Sequence, residues 1–339
     1  MPLATIGLLT TALFVTHFVV QLPAGRAIDR FGARRVGLAS LAAIVLGSLI
    51  ALAAPSLAVA LLGRVVTGLG SGAGFIAGLD LIRAAGGGAT MQGLYGGASI
   101  AGGGIALAVV PQLYGPLGWR APYWTALGLA LAVAAVLAAI PVAARGPTHA
   151  GVRAAILRER RLYPLGALHA ACFGLSVIAG NWIVTLLERQ GHSARDAGLA
   201  GSLVLFAGIV SRPAGGWLVR RAPERTRALV GASLLTAAAG ALLLAAAPPL
   251  PVSALAAAVL GLATGIPFAP VFSAAQRVRP DAPAAAVALS NGVAVLAIIV
   301  GTPLAGLAFG LPGDGRIAFV AIGAAAAAAL LALRQARTL

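Results

Sequence analysis

The chain has 339 residues, 60% of them hydrophobic and only 9% charged, with a mean hydropathy of +0.98. Soluble domains carry about 25% charged residues, so a water-solvated globule is excluded and lipid must be the solvent for most of the chain. The formal charge of +16 does not point to nucleic acid, because the basic residues, all arginine, sit in short segments between apolar runs, as the positive-inside rule requires.

A membrane span needs about 20 apolar residues. By that measure the sequence predicts eleven helices. The first covers 3–25 and ends in "QLPAGRAIDRFGARRVG" (21–37), where four arginines and one aspartate mark a short turn between two spans. Helices over 36–54, 57–82, 90–114 and 121–144 follow. The basic segment "RGPTHAGVRAAILRERRL" (145–162) reads as a linker. Six more helices cover 163–188, 196–219, 227–248, 252–275, 284–309 and 316–335. The expected organisation is an N-terminal helical bundle of five helices over 1–144, a cytoplasmic linker over 145–162, and a C-terminal bundle of six over 163–339. With the opening turn in the cytoplasm, eighteen arginines fall on the cytoplasmic side and four (Arg120, Arg189, Arg195, Arg316) outside, which sets the orientation. Residues 1–22 do not read as a cleaved signal peptide. The single cysteine, Cys172, excludes an internal disulfide and a cysteine-based metal site.

The chain repeats itself. "QLPAGRAIDRFGARRVG" aligns with "SRPAGGWLVRRAPERTRALVG" at an offset of 190, with Pro23, Ala24 and Gly25 over Pro213, Ala214 and Gly215, and Arg30 over Arg220. Each copy continues through an apolar helix, a proline-containing turn and a glycine-rich helix, "GRVVTGLGSGAG" in one and "GLATGIPFAP" in the other. Repeated halves are a common architecture of secondary transporters.

These residues resemble the major facilitator superfamily. Gly25, Asp29, Arg30, Gly32, Arg34 and Arg35 look like that family's signature between its second and third helices. Arg64, Gly68 and Gly70 look like its fourth-helix motif, and Gly118, Trp119 and Arg120 also resemble it. The second copy has Val219 in place of Asp29. The resemblance covers the whole chain. It implies an all-α integral membrane protein of two pseudo-symmetric helical bundles with 11 transmembrane helices. The first of the family's usual twelve is expected to be absent, because the signature loop follows one helix rather than two. It also implies that the signature residues form a gating loop centred on Asp29. A looser similarity to nitrate/nitrite-type porters lies in the glycine run "GLYGGASIAGGGIALAVVPQ" and in "RPAGGWL".

Polar residues inside lipid are costly and face a cavity or a partner helix. The helices over 36–54, 121–144, 227–248 and 316–335 carry almost none. The candidates for a substrate or proton path are His17, Gln21, Arg64, Tyr95, Asn181 and Asn291, and Asp80, Gln112, His169 and Thr264 are further polar positions. His17 is a candidate proton carrier or, equally, a histidine hydrogen-bonded between helices. Arg64, Gly68 and Gly72 share one helix face. Arg212 reads as a gate for the second half rather than a substrate ligand. Asp80 and Arg83 form an i, i+3 pair.

No phosphate-cradling loop, zinc motif or paired carboxylates occur, so an ATP-driven pump and an intramembrane enzyme are not indicated, and no cofactor is expected. The expected function is secondary active transport of a small solute by alternating access, with protons as the candidate coupling ion. The expected location is multi-pass in a bacterial plasma (inner) membrane. The alternative is a truncated, non-transporting remnant or membrane sensor. An in-frame apolar run upstream of Met1 would separate the two.

Overall fold

This computed structural model describes residues 3–140, 154–280 and 283–339; the side chains of residues 3–6, 22, 26, 29, 83, 154–155 and 283–284 are outside that description. The Asp29 side chain, the Arg83 partner expected for Asp80, and most of the predicted linker therefore lie outside it. The described residues are helical, with no strand among them. In order they form α1 (Leu3–Phe31), α2 (Ala33–Leu52), α3 (Leu57–Ala84), α4 (Ala89–Leu117), α5 (Ala121–Ala139), α6 (Leu162–His169), α7 (Leu175–Arg189), α8 (Ala194–Arg221), α9 (Thr226–Ala245), α10 (Leu250–Gly265), α11 (Phe268–Val278), α12 (Pro283–Ala308) and α13 (Arg316–Gln335).

Each of the eleven predicted segments is helical among the described residues, and 141–144 of the fifth lie outside them. A π-helical turn over Ala170–Gly174 joins α6 to α7, so the two form one span, Leu162–Arg189. Likewise α10 and α11 share the span Leu250–Val278 and are interrupted at Ile266 and Pro267. Pro267 and Pro270 cannot donate to the preceding turn, which accounts for the break. Among the described residues nine stretches are long and apolar enough to cross a membrane. One of them, Ala89–Ala139, holds both α4 and α5.

The expected turn after the first span is far shorter than its charge suggests. α1 continues through Pro23 to Phe31, and Gly32 alone separates it from α2, with φ 83° and ψ 149°. Residues 24–31 are rich in helix formers, and Ile28 buries itself among Ala33, Val36 and Ala77. The repeat is visible as helix: shifting α1 by 190 residues lands on α8 to within one residue at each end, and both contain an internal proline.

The chain divides into two compact units, Met1–Gly87 with Gln112–Val152, and Gly88–Pro111 with Arg153–Leu339. A division at 144 and 163 differs in one element, since α4 residues 88–111 pack with the later helices.

In the first unit, glycines let backbones touch, as small residues do between helices in lipid. α1 and α3 run parallel: a Cβ at Gly68 would meet Leu13 and Thr16, and one at Gly72 would meet His17 and Val20. α2 and α3 run antiparallel, with Gly47 on Gly63 and Ser40 on Gly70. Two arginines satisfy helix ends. Arg34 donates through Nε to the Leu137 carbonyl (3.3 Å) at the end of α5, and Arg120 through Nε to the Leu52 carbonyl (3.2 Å) at the end of α2.

In the second unit, α4 lies antiparallel on α8. Added Cβ atoms would meet backbone at Gly93 (Arg212, Pro213), Gly97 (Gly208, Ile209), Gly198 (Leu107) and Gly216 (Ala89). The opposite side of α8 meets α10 in the same way, through Gly261 against the carbonyls of Leu203 and Val204. Ser193 caps α8, accepting from the Asp196 main-chain N–H at 3.1 Å. Ahead of α6, Arg161 grips Glu159 through Nε (2.8 Å) and Nη2 (3.0 Å) and holds that carboxyl below the usual range.

Candidate functional site

Two polar constellations sit inside otherwise apolar units. In the first unit, the face of α3 that carries Arg64, Gly68 and Gly72 is the face against α1. Arg64 Nε donates to the Leu9 carbonyl (3.2 Å). Thr16 Oγ1 donates to the Val65 carbonyl (2.9 Å). His17 Nδ1 lies 3.0 Å from Ser71 Oγ, and its ring sits between those of Phe14 and Phe75 (centroids 5.7 and 6.2 Å). His17 is thus hydrogen-bonded between helices, and Gln21, one turn on, is buried. Of the signature residues, Gly32 supplies the break, Arg34 holds the end of α5, Arg30 stacks on Phe31 (5.1 Å), Arg35 is exposed, and a Cβ on Gly25 would meet nothing within 4 Å.

The second unit holds a tighter cluster. Arg212 does not close its helix, because α8 runs nine residues further to Arg221. That places it about 13 Å inside the helix end. It is 2% exposed. Nη1 donates to the Gly96 carbonyl on α4 at 2.7 Å. The guanidinium lies over the ring of Phe268 at the start of α11 (4.4 Å) and near that of Phe173 in the π turn (5.6 Å). Its Nε has no hydrogen-bond partner among the described residues.

The same two rings flank His169. It stacks on Phe173 (5.4 Å, 19°), lies 5.6 Å from Phe268 and 4.5 Å from Phe272, and is 1% exposed. His169 Nε2 donates to Asn291 Oδ1 on α12 (3.2 Å), while Nδ1 has no partner among the described residues. Of the sequence candidates, the structure brings Asn291 to this cluster. Asn181 is exposed and donates weakly (3.4 Å) to Thr302, eleven residues along α12 from Asn291, which is about 16 Å away. Tyr95 lies on α4, one residue from the carbonyl that holds Arg212.

Phe173, Phe268 and Phe272 escaped the sequence reading. In an apolar chain a phenylalanine carries no polarity contrast. The one usable signal was the Pro267–Phe268 break in a glycine-rich helix. A π turn shifts the register of side chains along a helix and is frequent at functional sites. His169 and Phe173, four residues apart, stack across this turn.

The energetics are unusual. An arginine at mid-span costs about 2.5–3.5 kcal/mol on insertion scales. One charge-assisted hydrogen bond returns about 1.5–3 kcal/mol, and each ring face about 0.5–2 kcal/mol. The guanidinium is held in place, yet no described carboxylate pairs with it. Among the described residues no cluster of three or more His, Cys, Asp or Glu could hold a metal ion.

No curated protein sequence matches this chain. Among solved structures, it is similar to a point-substituted form of the Escherichia coli fucose:proton symporter FucP (TM-score 0.66, 16% identity, covering 97% of this chain and 90% of that one). It is similar to FucP in the outward conformation (0.66, 18%, 97% and 89%). It is also similar to the human organic anion transporter MFSD10, or TETRAN (0.68, 18%, 96% and 83%). At these identities the likeness shows the fold, and it lends no support to the narrower nitrate/nitrite-type resemblance. The sequence profile of the Major Facilitator Superfamily matches residues 1–302. With its multi-pass helical fold and its signature residues, the chain belongs to the Major Facilitator Superfamily.

Proposed function

We propose that this protein is a secondary active transporter that moves a small solute by alternating access, with protons as the coupling ion, in a bacterial plasma (inner) membrane. The observation that carries the reading is the gathering of Arg212, His169 and Asn291 from three helices inside an apolar unit of a family of transporters. Buried polar groups at mid-span are costly and mark a solute or ion path. A break such as that between α10 and α11 is tolerated in a span where it serves a site. Proton coupling has the support of the similarity to a protein described as a fucose:proton symporter.

In this reading Gly25, Asp29, Arg30, Gly32, Arg34 and Arg35 form the gate, with Asp29 as its switching carboxylate. Breaking and remaking a charge contact biases a two-state motion. His17, which Ser71 holds between α1 and α3, and Arg64 are the candidates for a substrate or proton path in the first unit.

The test is flux. The full chain is reconstituted in proteoliposomes, a pH gradient is imposed, and uptake of labelled solutes is followed with and without a protonophore. Gradient-linked uptake that falls in Asp29→Asn is the expected result. Absence of gradient-linked uptake for every sugar, organic acid and inorganic anion tried would sink the reading.

A further inference from the structure

At the end of the second unit where α11 and α13 finish, two arginines from different helices hold the same short segment. Arg277, in the last turn of α11, donates through Nη2 to the Thr338 carbonyl at 3.0 Å. Arg227, in the first turn of α9, donates through Nη1 to the Ala336 carbonyl (2.6 Å) and through Nη2 to the Leu333 carbonyl (2.9 Å). We propose that residues 336–339 are a releasable strap. It fastens the end of α11 to the α9–α13 pair and limits how far α11 swings about the break at Ile266 and Pro267.

Three observations carry it. First, α11 is a separate lever. The span Leu250–Val278 is built in two pieces, and α11 is only 11 residues long. Pro267 and Pro270 have no N–H, so the carbonyls of Ala263 and Ile266 receive no helical hydrogen bond from them. Small dihedral changes at such a break let a helix segment tilt. The corresponding glycine-rich helix of the first unit, α3, runs unbroken from Leu57 to Ala84.

Second, the strap joins helices that do not otherwise pack extensively. α11 packs on α12, α8 and α6, while α9 packs on α13 and α10. Arg277 and Arg227 connect the end of α11 to α9 and α13 by way of the same four residues. The root of this strap is common to both halves of the repeat, since Arg34 at the start of α2 holds the Leu137 and Ala138 carbonyls at the end of α5.

Third, the strap is firm at its root and weak at its tip. Ala336 is 2% exposed, and its N–H donates to the Ala332 carbonyl at 2.9 Å. The Leu339 N–H turns back to the Ala336 carbonyl at 3.3 Å. The Arg277 contact, by contrast, is exposed, and water competes for both of its partners. It can break and remake while α13 stays folded. The Glu159 carboxyl, held low first by the Arg161 hydrogen bond, also feels Arg279 just past α11. That second tether keeps α11 in place when the strap is released, so release loosens the helix without unfolding it.

The test is amide hydrogen exchange of the purified full chain, read by mass spectrometry on peptides from α10 and α11. The variants are Arg277→Gln, a chain shortened to end at Gln335, and the two combined. Thr338→Ala, which keeps the acceptor carbonyl, and Arg334→Gln, at an exposed position in the last turn of α13, are the controls. Residues 268–278 exchange about fivefold faster in Arg277→Gln and in the shortened chain, the equivalent of about 1 kcal/mol in the opening equilibrium. The combined variant is no faster than the shortened chain, because both changes remove the same contact. Residues 252–262 of α10 stay within about twofold of the parent, and so does α11 in both controls.

Unchanged exchange of α11 in Arg277→Gln overturns the proposal. So does a rise that α10 shares equally, which is general loosening rather than release of one helix. Effects that add in the combined variant overturn it too, because Arg277 then acts through something other than the strap. An effect of Thr338→Ala as large as that of Arg277→Gln places the contact in the threonine side chain and removes the main-chain latch. The readout needs no solute. Failure of the transporter reading therefore leaves the strap standing, and failure of the strap leaves the transporter reading standing.

Discussion

Arg212 Nη1 donates a 2.7 Å hydrogen bond to the main-chain carbonyl oxygen of Gly96. The contact joins α8 to α4 where α4 has no side chain to separate the two backbones. Glycines at 93, 97, 198 and 216 keep the helices at that distance along their shared length. The position of the buried guanidinium therefore depends on residues that carry no functional group.

Gly93→Ala tests that dependence. The added Cβ would sit 2.8 Å from Pro213 Cα on α8, which is backbone and cannot step aside. The expected loss is about 1–3 kcal/mol of stability, seen as a lower melting temperature in detergent. Gly102→Ala, on the same helix with nothing within 4 Å of its Cβ, is expected to stay within about 0.5 kcal/mol of the parent. Equal effects at both positions would remove the close-packing account of α4.

Two adjacent arginines of the signature stretch are expected to behave differently. Arg34 satisfies the last carbonyls of α5, and Arg35 is exposed. Arg34→Ala is expected to cost about 1 kcal/mol or more, since it removes charge-assisted bonds at a helix C-terminus. Arg35→Ala is expected to fall within about 0.5 kcal/mol. Thermal unfolding of the two variants side by side decides it.

The two glycines of the same stretch also separate. Gly32 has φ 83° and ψ 149°, a region closed to side-chain-bearing residues. Gly32→Ala is expected to lower stability by about 1–3 kcal/mol. Gly25 sits inside α1 with open space around it, and Gly25→Ala is expected to be neutral or slightly stabilising. A harmless Gly32→Ala would show that the α1–α2 junction adapts freely.

The His17–Ser71 contact spans α1 and α3 at 3.0 Å. A double-mutant cycle with His17→Ala and Ser71→Ala is expected to give a coupling of about 0.5–1.5 kcal/mol in unfolding free energy. A coupling near zero would mean that the contact contributes nothing beyond its separate burial terms.

Much of the fold was legible in the sequence because lipid imposes it locally. The eleven helical segments follow from apolar run length, and the match of α1 to α8 follows from the repeated Pro-Ala-Gly stretch. The turn at 21–37 misled because charge was read as loop. Arginine and alanine are good helix formers, so α1 continues until Gly32 stops it. The candidate site was legible only in part. His17, Arg64, Asn291 and Arg212 stood out as polar residues in apolar runs. Arg212 reads in the sequence as a gate, and the sequence does not show that it is buried inside α8, which continues through Pro213 to Arg221.

By itself, then, the sequence determined the solvent, the spans, the arginine asymmetry and the repeat. Each of these follows from the hydropathy or charge of a short segment against a bilayer of known thickness. Only the tertiary structure decided which polar groups meet. Arg212 and Gly96 are 116 residues apart, and His169 and Asn291 are 122 apart. Their pairing depends on which glycine faces which helix, and on a π turn and a proline break that place Phe173 and Phe268 against one guanidinium. A glycine or phenylalanine in an apolar helix does not name its partner, because close packing in lipid is a matter of shape between helices rather than of hydropathy along one.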